Sequence, residues 1–418
     1  MKVRFLYLLL VSAFGPYISM SMGIRFDHAM VYFLLIIFFT TNSISTKNHY
    51  IFLTPLSILI LLFITPFVGL VLYDNSISYA LTLSQIDNYF QPLVVVIICF
   101  SALNKLNYQN INKTFRIFLT IFIVFMAIHT LASISMYLFP KLLFWRHFTG
   151  AGLIAISEDT ARIGLTAAEL ARIGGRISGI FTQVFEAGYA YSIALISWAY
   201  LNNKYRKFML FQNIALVLLI IGGLLVSSKV FLVFGLSLFI YCFEKKIRLI
   251  LFGILGYFSI ALALFLFNIN FEFIAKPIKY LNRLVDVDRL NILEVFTGNR
   301  FSSDSSITIG INEILQNFPI IGKGYGSIQT SDFSLYEVIT LSGIIGVALY
   351  LFLFLFFIFL LFIIKDRLDR KYYLSIIILT VFSSLAAPTI TANRISIFFW
   401  IIWSFMATIA FFQSKLIK

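Results

Sequence analysis

Charge is what this chain has least of. Asp, Glu, Lys and Arg make up 12% of the residues, where soluble proteins carry about a quarter, and that scarcity excludes one soluble core of this size. Two cysteines exclude a disulfide framework and a thiolate metal cluster; Cys99 and Cys242 fall in apolar segments at different depths and read as inert core thiols. No P-loop and no dinucleotide fingerprint occurs, so nothing here reads as a nucleotide-driven motor. Deep inside the apolar segments the only ionisable group is His129, which reads as a neutral histidine hydrogen-bonded to a neighbouring helix. An ion-coupled carrier is disfavoured for the same reason, because a midplane charge is costly and is kept where transport needs it.

What is present is apolar bulk, at 60% hydrophobic residues and a mean hydropathy of +0.95. That composition implies an all-α polytopic integral membrane protein. A helix needs roughly 20 apolar residues to cross the hydrocarbon layer. Twelve spans fit, at about 5–22, 29–46, 50–73, 89–104, 115–139, 186–202, 209–226, 230–243, 249–267, 336–364, 372–389 and 395–413, with eleven the alternative because the eighth is short and the fourth weak. Residues 1–22 have the pattern of a secretory signal, but the next span follows at once and the loop parity fits a retained first helix.

The net charge of +14 is distributed by topology. Lys47, Lys105, Lys113, Arg116, Lys204, Arg206, Lys207, Lys245, Lys246, Arg248, Lys365, Arg367, Arg370 and Lys371 all fall in alternate short connections, while the intervening short ones hold only Arg25, Lys229 and Arg394. The positive-inside rule then puts both termini in the cytoplasm and two long polar segments, 140–185 and 268–335, on the opposite, periplasmic face. Basic residues spread over thin loops offer no stripe to a duplex, so nucleic acid is not an expected partner.

In the first segment Ser157 is a candidate N-cap, with a helix expected from there to Ile173 and Gly174 and Gly175 stopping it. Glu158 with Arg162, and Glu169 with Arg172, are at ion-pair spacing, whereas Arg176 has no such local partner and is the better anion ligand. In the second, Ser303, Asp304 and Ser305 can cap a helix whose Ile307, Ile311, Ile314, Leu315 and Phe318 form one apolar stripe suited to the membrane surface. Pro319 ends that helix. Gly322-Lys323-Gly324-Tyr325-Gly326 follows, a turn whose glycines let backbone approach a ligand and whose lysine suits a phosphate.

The order of these features resembles the O-antigen polymerase and ligase superfamily. Arg300, the amphipathic helix, Pro319 through Gly326, and Leu341-Ser342-Gly343-Ile344-Ile345-Gly346 opening a long span carry the resemblance, together with Arg176-Ile177-Ser178-Gly179-Ile180-Phe181 and the following Glu186 and Gly188. It covers the whole topology but, at residue level, only about 176–188 and 300–346. The ligases often have a histidine where this chain has Ser331 to Tyr336, which favours the polymerase; the arginine-to-glycine spacing of some polymerase loops is also missing. The resemblance implies a Wzy-type enzyme of the bacterial inner membrane that needs no cofactor and no metal. It would move a growing glycan from undecaprenyl diphosphate onto the next lipid-linked oligosaccharide repeat, with a chain-length regulator and a flippase as implied protein partners. A departing diphosphate needs cations, for which Arg176 and Arg300, then Lys323 and Arg394, are the expected residues; the acceptor hydroxyl needs a base, for which Asp332 or Glu186 is expected. The alternatives are the ligase and a lipid-linked oligosaccharide flippase.

Overall fold

A computed structural model describes residues 3–19, 24–41, 50–73, 79–139, 145–149, 167–173, 175–205, 209–243, 305–327, 334–385, 387–391 and 393–415. The described chain is overwhelmingly helical. In order it contains α1 (Val3–Ser12), β1 (Tyr17–Ser19), β2 (Ile24–Arg25), α2 (Phe26–Thr41), α3 (Tyr50–Tyr73), α4 (Tyr79–Leu103), α5 (Tyr108–Leu138), α6 (Arg146–Thr149), α7 (Ala167–Ile173), α8 (Val184–Lys204), α9 (Gln212–Val226), a π-helical stretch Val230–Gly235 that continues as α10 (Leu236–Cys242), α11 (Ser306–Asn317), α12 (Ser334–Ile363), α13 (Arg367–Ser384) and α14 (Asn393–Lys415).

Five of these helices are long and apolar enough to cross a membrane: Ile51–Tyr73, Leu81–Leu103, Tyr108–Met136, Ser334–Ile363 and Arg394–Lys415. The protein is therefore helical and membrane-embedded. Several expected spans take a different form. The first was expected over 5–22, but α1 stops at Ser12 and the chain turns into an antiparallel pair, Tyr17 opposite Arg25. Pro16 is the physical reason: its ring disfavours helical backbone at Gly15, and its carbonyl accepts the Phe26 N–H at 3.0 Å. The eighth divides into the π-helical stretch and α10. The expected ninth span, 249–267, and residues 268–304 lie outside the described residues, as do Ser157 and the first expected charge pair, Glu158 with Arg162.

The chain forms two compact units. One comprises Met1–Leu10, Met30–Asn112 and Leu290–Lys418; the other comprises Val11–Ala29 and Lys113–Arg289.

In the first unit α14 is the central helix. From Arg394 to Ala410 every residue is buried, so it is apolar on all sides as a core helix must be. Phe357 of α12 packs its ring against Phe399, Trp400 and Trp403 at 5.3, 5.8 and 6.0 Å. The backbone N–H groups of Lys365 and Asp366, just past α12, donate to Gln413 Oε1 near the end of α14 at 2.8 and 3.2 Å, so these two helices run parallel.

In the second unit α8 is the core. Val184 to Leu201 are buried apart from Phe185, with α9 and the π-helical stretch packed alongside. His129 of α5 is the neutral histidine expected from the sequence. Ile180 N–H donates to its Nε2 at 3.1 Å, which leaves the proton on Nδ1 to be donated to the Tyr191 hydroxyl at 2.8 Å. Cys99 and Cys242 are each buried and free.

Candidate functional site

Apolar helices leave few places for polar chemistry, and the buried ionisable side chains Arg25, Asp27, Glu186, Glu337 and Arg394 lie in or beside the first turns of helices.

In the first unit the site begins with a broken helix. Gly343, at φ 60° and ψ −153°, interrupts α12. In a straight helix Ser334 and Tyr350 would be roughly 24 Å apart, at 1.5 Å per residue. Here Ser334 and Glu337 instead lie beside Tyr350, so the break folds the first segment back along the second. A break exposes backbone groups that have no water to turn to, and they must be met by protein. The glycine turn meets them: Lys323 and Gly324 N–H donate to Thr340 and Leu341 carbonyls at 2.7 and 3.2 Å, while Ile344 and Ile345 N–H donate to Pro319 and Ile320 carbonyls at 2.9 and 3.2 Å.

The same turn lies against α3. Tyr325 N–H donates to the Pro66 carbonyl at 3.3 Å, Tyr325 hydroxyl to the Phe63 carbonyl at 2.9 Å, and Gly326 N–H to Gln85 Oε1 of α4 at 2.7 Å. Only glycine fits this crossing. Gly324 has φ +83°, and a Cβ there would stand 2.1 Å from the Leu70 nitrogen; one at Gly322, φ +75°, would stand 2.6 Å from Gly343 N. The turn therefore spends its N–H groups on the protein's own carbonyl and carboxamide oxygens.

Around this junction sits a buried cluster that the sequence reading did not single out. Glu337, 6% exposed, faces the Tyr89 hydroxyl of α4, and Tyr325 and Tyr350 are close enough to feel its charge. Tyr89 and Tyr325 rings meet at 6.1 Å, nearly edge to face. Burial, and after it the Glu337 carboxyl, pushes the Tyr325 phenol above its ordinary range. Gln91, two turns before Cys99 on α4, is fully buried with both carboxamide atoms unpaired. Cys99 faces Ser404 of α14, and Arg394, three turns before Ser404, is also fully buried. A fully buried guanidinium in an apolar protein is costly unless hydrogen bonds or a ligand compensate it.

The second unit carries a different cluster. Arg25, on β2, holds Asp27 through one guanidinium edge, Nε to Oδ1 at 2.9 Å and Nη2 to Oδ2 at 3.0 Å, and Nη2 also lies 2.9 Å from His28 Nε2. Arg25 and Asp27 are both buried. Burial opposes the guanidinium charge, and the Asp27 carboxylate more than reverses that, raising Arg25 above its ordinary value. Glu186 lies within electrostatic reach of Arg25 and caps α8, its Oε2 accepting the Gln183 N–H at 3.4 Å in a reciprocal capping box. Tyr17 and Thr182 hydroxyls meet at 3.2 Å.

The expected site residues are distributed as follows. Glu186 and Arg176 belong to the second unit, where Arg176 directly follows a helix stop. Gly175, at φ +71°, donates to Arg172 O and Arg176 N–H donates to Ala171 O, at 2.7 and 2.9 Å, which is the Schellman pattern with Gly175 at C′. Lys323 and Arg394 belong to the first unit. Lys323 is paired with Glu313 of α11 at 2.6 Å and lies over the Phe318 ring. Arg300 and Asp332 lie outside the described residues. Sequence reasoning missed Glu337, the second residue of an expected span. It missed the Arg25–Asp27 pair because Arg25 was counted only as a loop charge. The available signal in both cases was an acidic residue in the first turn of a helix with no local basic partner at helical spacing. No family model matches the chain and no curated protein matches it significantly.

The fold and its polar sites define a membrane-embedded helical protein with buried charges gathered at helix ends.

Proposed function

We propose that this protein is a glycosyltransferase that uses polyprenyl-diphosphate-linked donors, an oligosaccharide-repeat polymerase acting at the outer face of a bacterial inner membrane. The observation that carries the reading is the pairing of the glycine turn at residues 319–326 with the Leu341–Gly346 segment. These two motifs carry the family resemblance, and they fit together by backbone hydrogen bonds at one junction beside a buried carboxyl group. A lipid diphosphate already holds the energy of the bond to be transferred, so the protein needs no nucleotide site. Its task is to hold the departing diphosphate and to take the acceptor's proton.

In this reading the diphosphate is met by arginine, either Arg300 and Arg394 of the first unit or Arg176 of the second, because a guanidinium stays charged and engages phosphate oxygens in pairs. Lys323 joins the first-unit pair by exchanging Glu313 for phosphate. Asp332 and Glu186 are the bases expected from the resemblance, and Glu186 would first have to leave its cap. A ligase would use the same donor with a lipid A core acceptor; a flippase would bind the donor without forming a bond.

The test is a surface-glycan gel from a host whose copy of the gene is deleted and then restored. A core bearing a single repeat unit, with the ladder regained on complementation, is the expected result. A core with no repeat would assign the ligase, and loss of outward-facing lipid-linked repeats would assign transport.

A further inference from the structure

Glu337 has the geometry of a proton acceptor. Its Oε1 is sealed from solvent with no donor within hydrogen-bonding distance, whereas Oε2 is not enclosed in that way. Among the described residues no lysine, arginine or histidine pairs with it. A carboxylate that serves only structure at such burial is ordinarily held by a cation or by several N–H donors, whereas the neighbours of Glu337 among the described residues are the phenols of Tyr89, Tyr325 and Tyr350. Its position is fixed from both sides. The segment that carries it is pinned by the Lys323 and Gly324 N–H groups, and its start is tied by Ser334 Oγ donating to the Ala387 carbonyl at 2.6 Å.

Of the two bases expected from the resemblance, Asp332 lies outside the described residues and Glu186 is held differently. Glu186 is engaged by its own helix cap and lies within reach of the Arg25 guanidinium.

We infer that Glu337 is the catalytic base of the transfer proposed above, taking the proton of the acceptor hydroxyl on Oε2, with the Tyr89 phenol beside the carboxyl. This rests on the lipid-diphosphate glycosyltransferase reading. In the step, the acceptor oxygen forms the new bond to the anomeric carbon as its proton passes to Glu337. The bond from that carbon to the diphosphate oxygen breaks, and its electron pair leaves on the diphosphate. The carboxylic acid so formed returns its proton to water, and no oxidant, reductant or metal enters the balance.

Glu337→Gln separates chemistry from structure, because glutamine keeps the size and hydrogen-bonding shape of a neutral carboxylic acid and cannot take the proton. In a host lacking its own copy, E337Q is expected to accumulate in the membrane at the wild-type level and to bind vesicles containing undecaprenyl diphosphate as the wild type does. Its ladder should collapse to single repeats, with in vitro elongation down by about 100-fold or more, the usual worth of a general base. E337D should retain part of the rate with its acid limb displaced along the pH axis. A wild-type ladder in E337Q, when deletion of the gene abolishes the ladder, overturns the base assignment and leaves the glycosyltransferase reading standing. A ladder that survives deletion overturns both. Should E337Q fail to accumulate, E337D decides: an acid limb identical to wild type overturns the assignment.

Discussion

At the residue scale, this protein keeps few ionisable side chains and buries several of them. Arg25 and Asp27 form a bidentate pair with both groups buried. Such a pair contributes little net stability over apolar residues, yet removing one partner strands the other and costs about 3–5 kcal/mol. Arg25→Met should therefore lower the thermal midpoint of the detergent-solubilised protein sharply, while replacing both partners by apolar residues should recover much of the loss. A double variant as unstable as the single one would contradict that account. The exposed end of the same scale is Lys323 with Glu313, whose carboxyl side chain is 53% accessible. A pair so open to water is worth at most about 1 kcal/mol. Glu313→Gln should leave the thermal midpoint within error and free Lys323 for an anion, which is read as tighter binding of vesicles carrying undecaprenyl diphosphate.

At the element scale, the glycine turn and the break in α12 are one device. Gly322, Gly324 and Gly343 all have positive φ, and their backbones approach too closely for any side chain. Gly324→Ala adds left-handed strain of roughly 1–2 kcal/mol to a clash with the backbone of α3, so it should abolish a folded, monodisperse protein; normal accumulation and stability would show that the crossing is not tight. By contrast, α11 is a local element. Ser305 Oγ accepts the Thr308 N–H at 3.1 Å, and Ser305→Ala should cost about 1 kcal/mol, seen as a modest drop in thermal midpoint with the ladder retained.

Legibility follows the same division. The Ser305 cap, the stop at Gly175 and the neutral His129 were readable because each depends on neighbours in sequence or on a residue type with few options. The apolar stripe expected on α11 was read in part: Ile314 is buried and Ile307, Ile311 and Phe318 are half-buried, but Leu315 is exposed. The break at Gly343 was not readable, since a glycine in an apolar run is tolerated in a straight helix and its cause, the turn at residues 319–324, lies about twenty positions away. Glu337 was passed over for the same reason: its partners Tyr89 and Tyr350 are brought to it by the break and by α4.

At the scale of the whole molecule, five helices among the described residues are long and apolar enough to cross a membrane, and the protein is membrane-embedded. Which face each loop occupies is part of the proposal. The two native cysteines are buried and free, so they give little background in labelling. Cysteines introduced at Lys47 and Arg367 should react with membrane-impermeant maleimide only after the membrane is opened, and those at Ser327 and Gln183 should react in intact spheroplasts. The opposite pattern would put the proposed chemistry on the wrong face.

The most direct measurement combines the purified protein in vesicles with undecaprenyl-diphosphate-linked repeat units and no nucleotide sugar. One undecaprenyl diphosphate released for each glycosidic bond formed, with products growing by whole repeats, is the predicted result. Passage of the lipid across the bilayer with no release and no new bond would contradict the account.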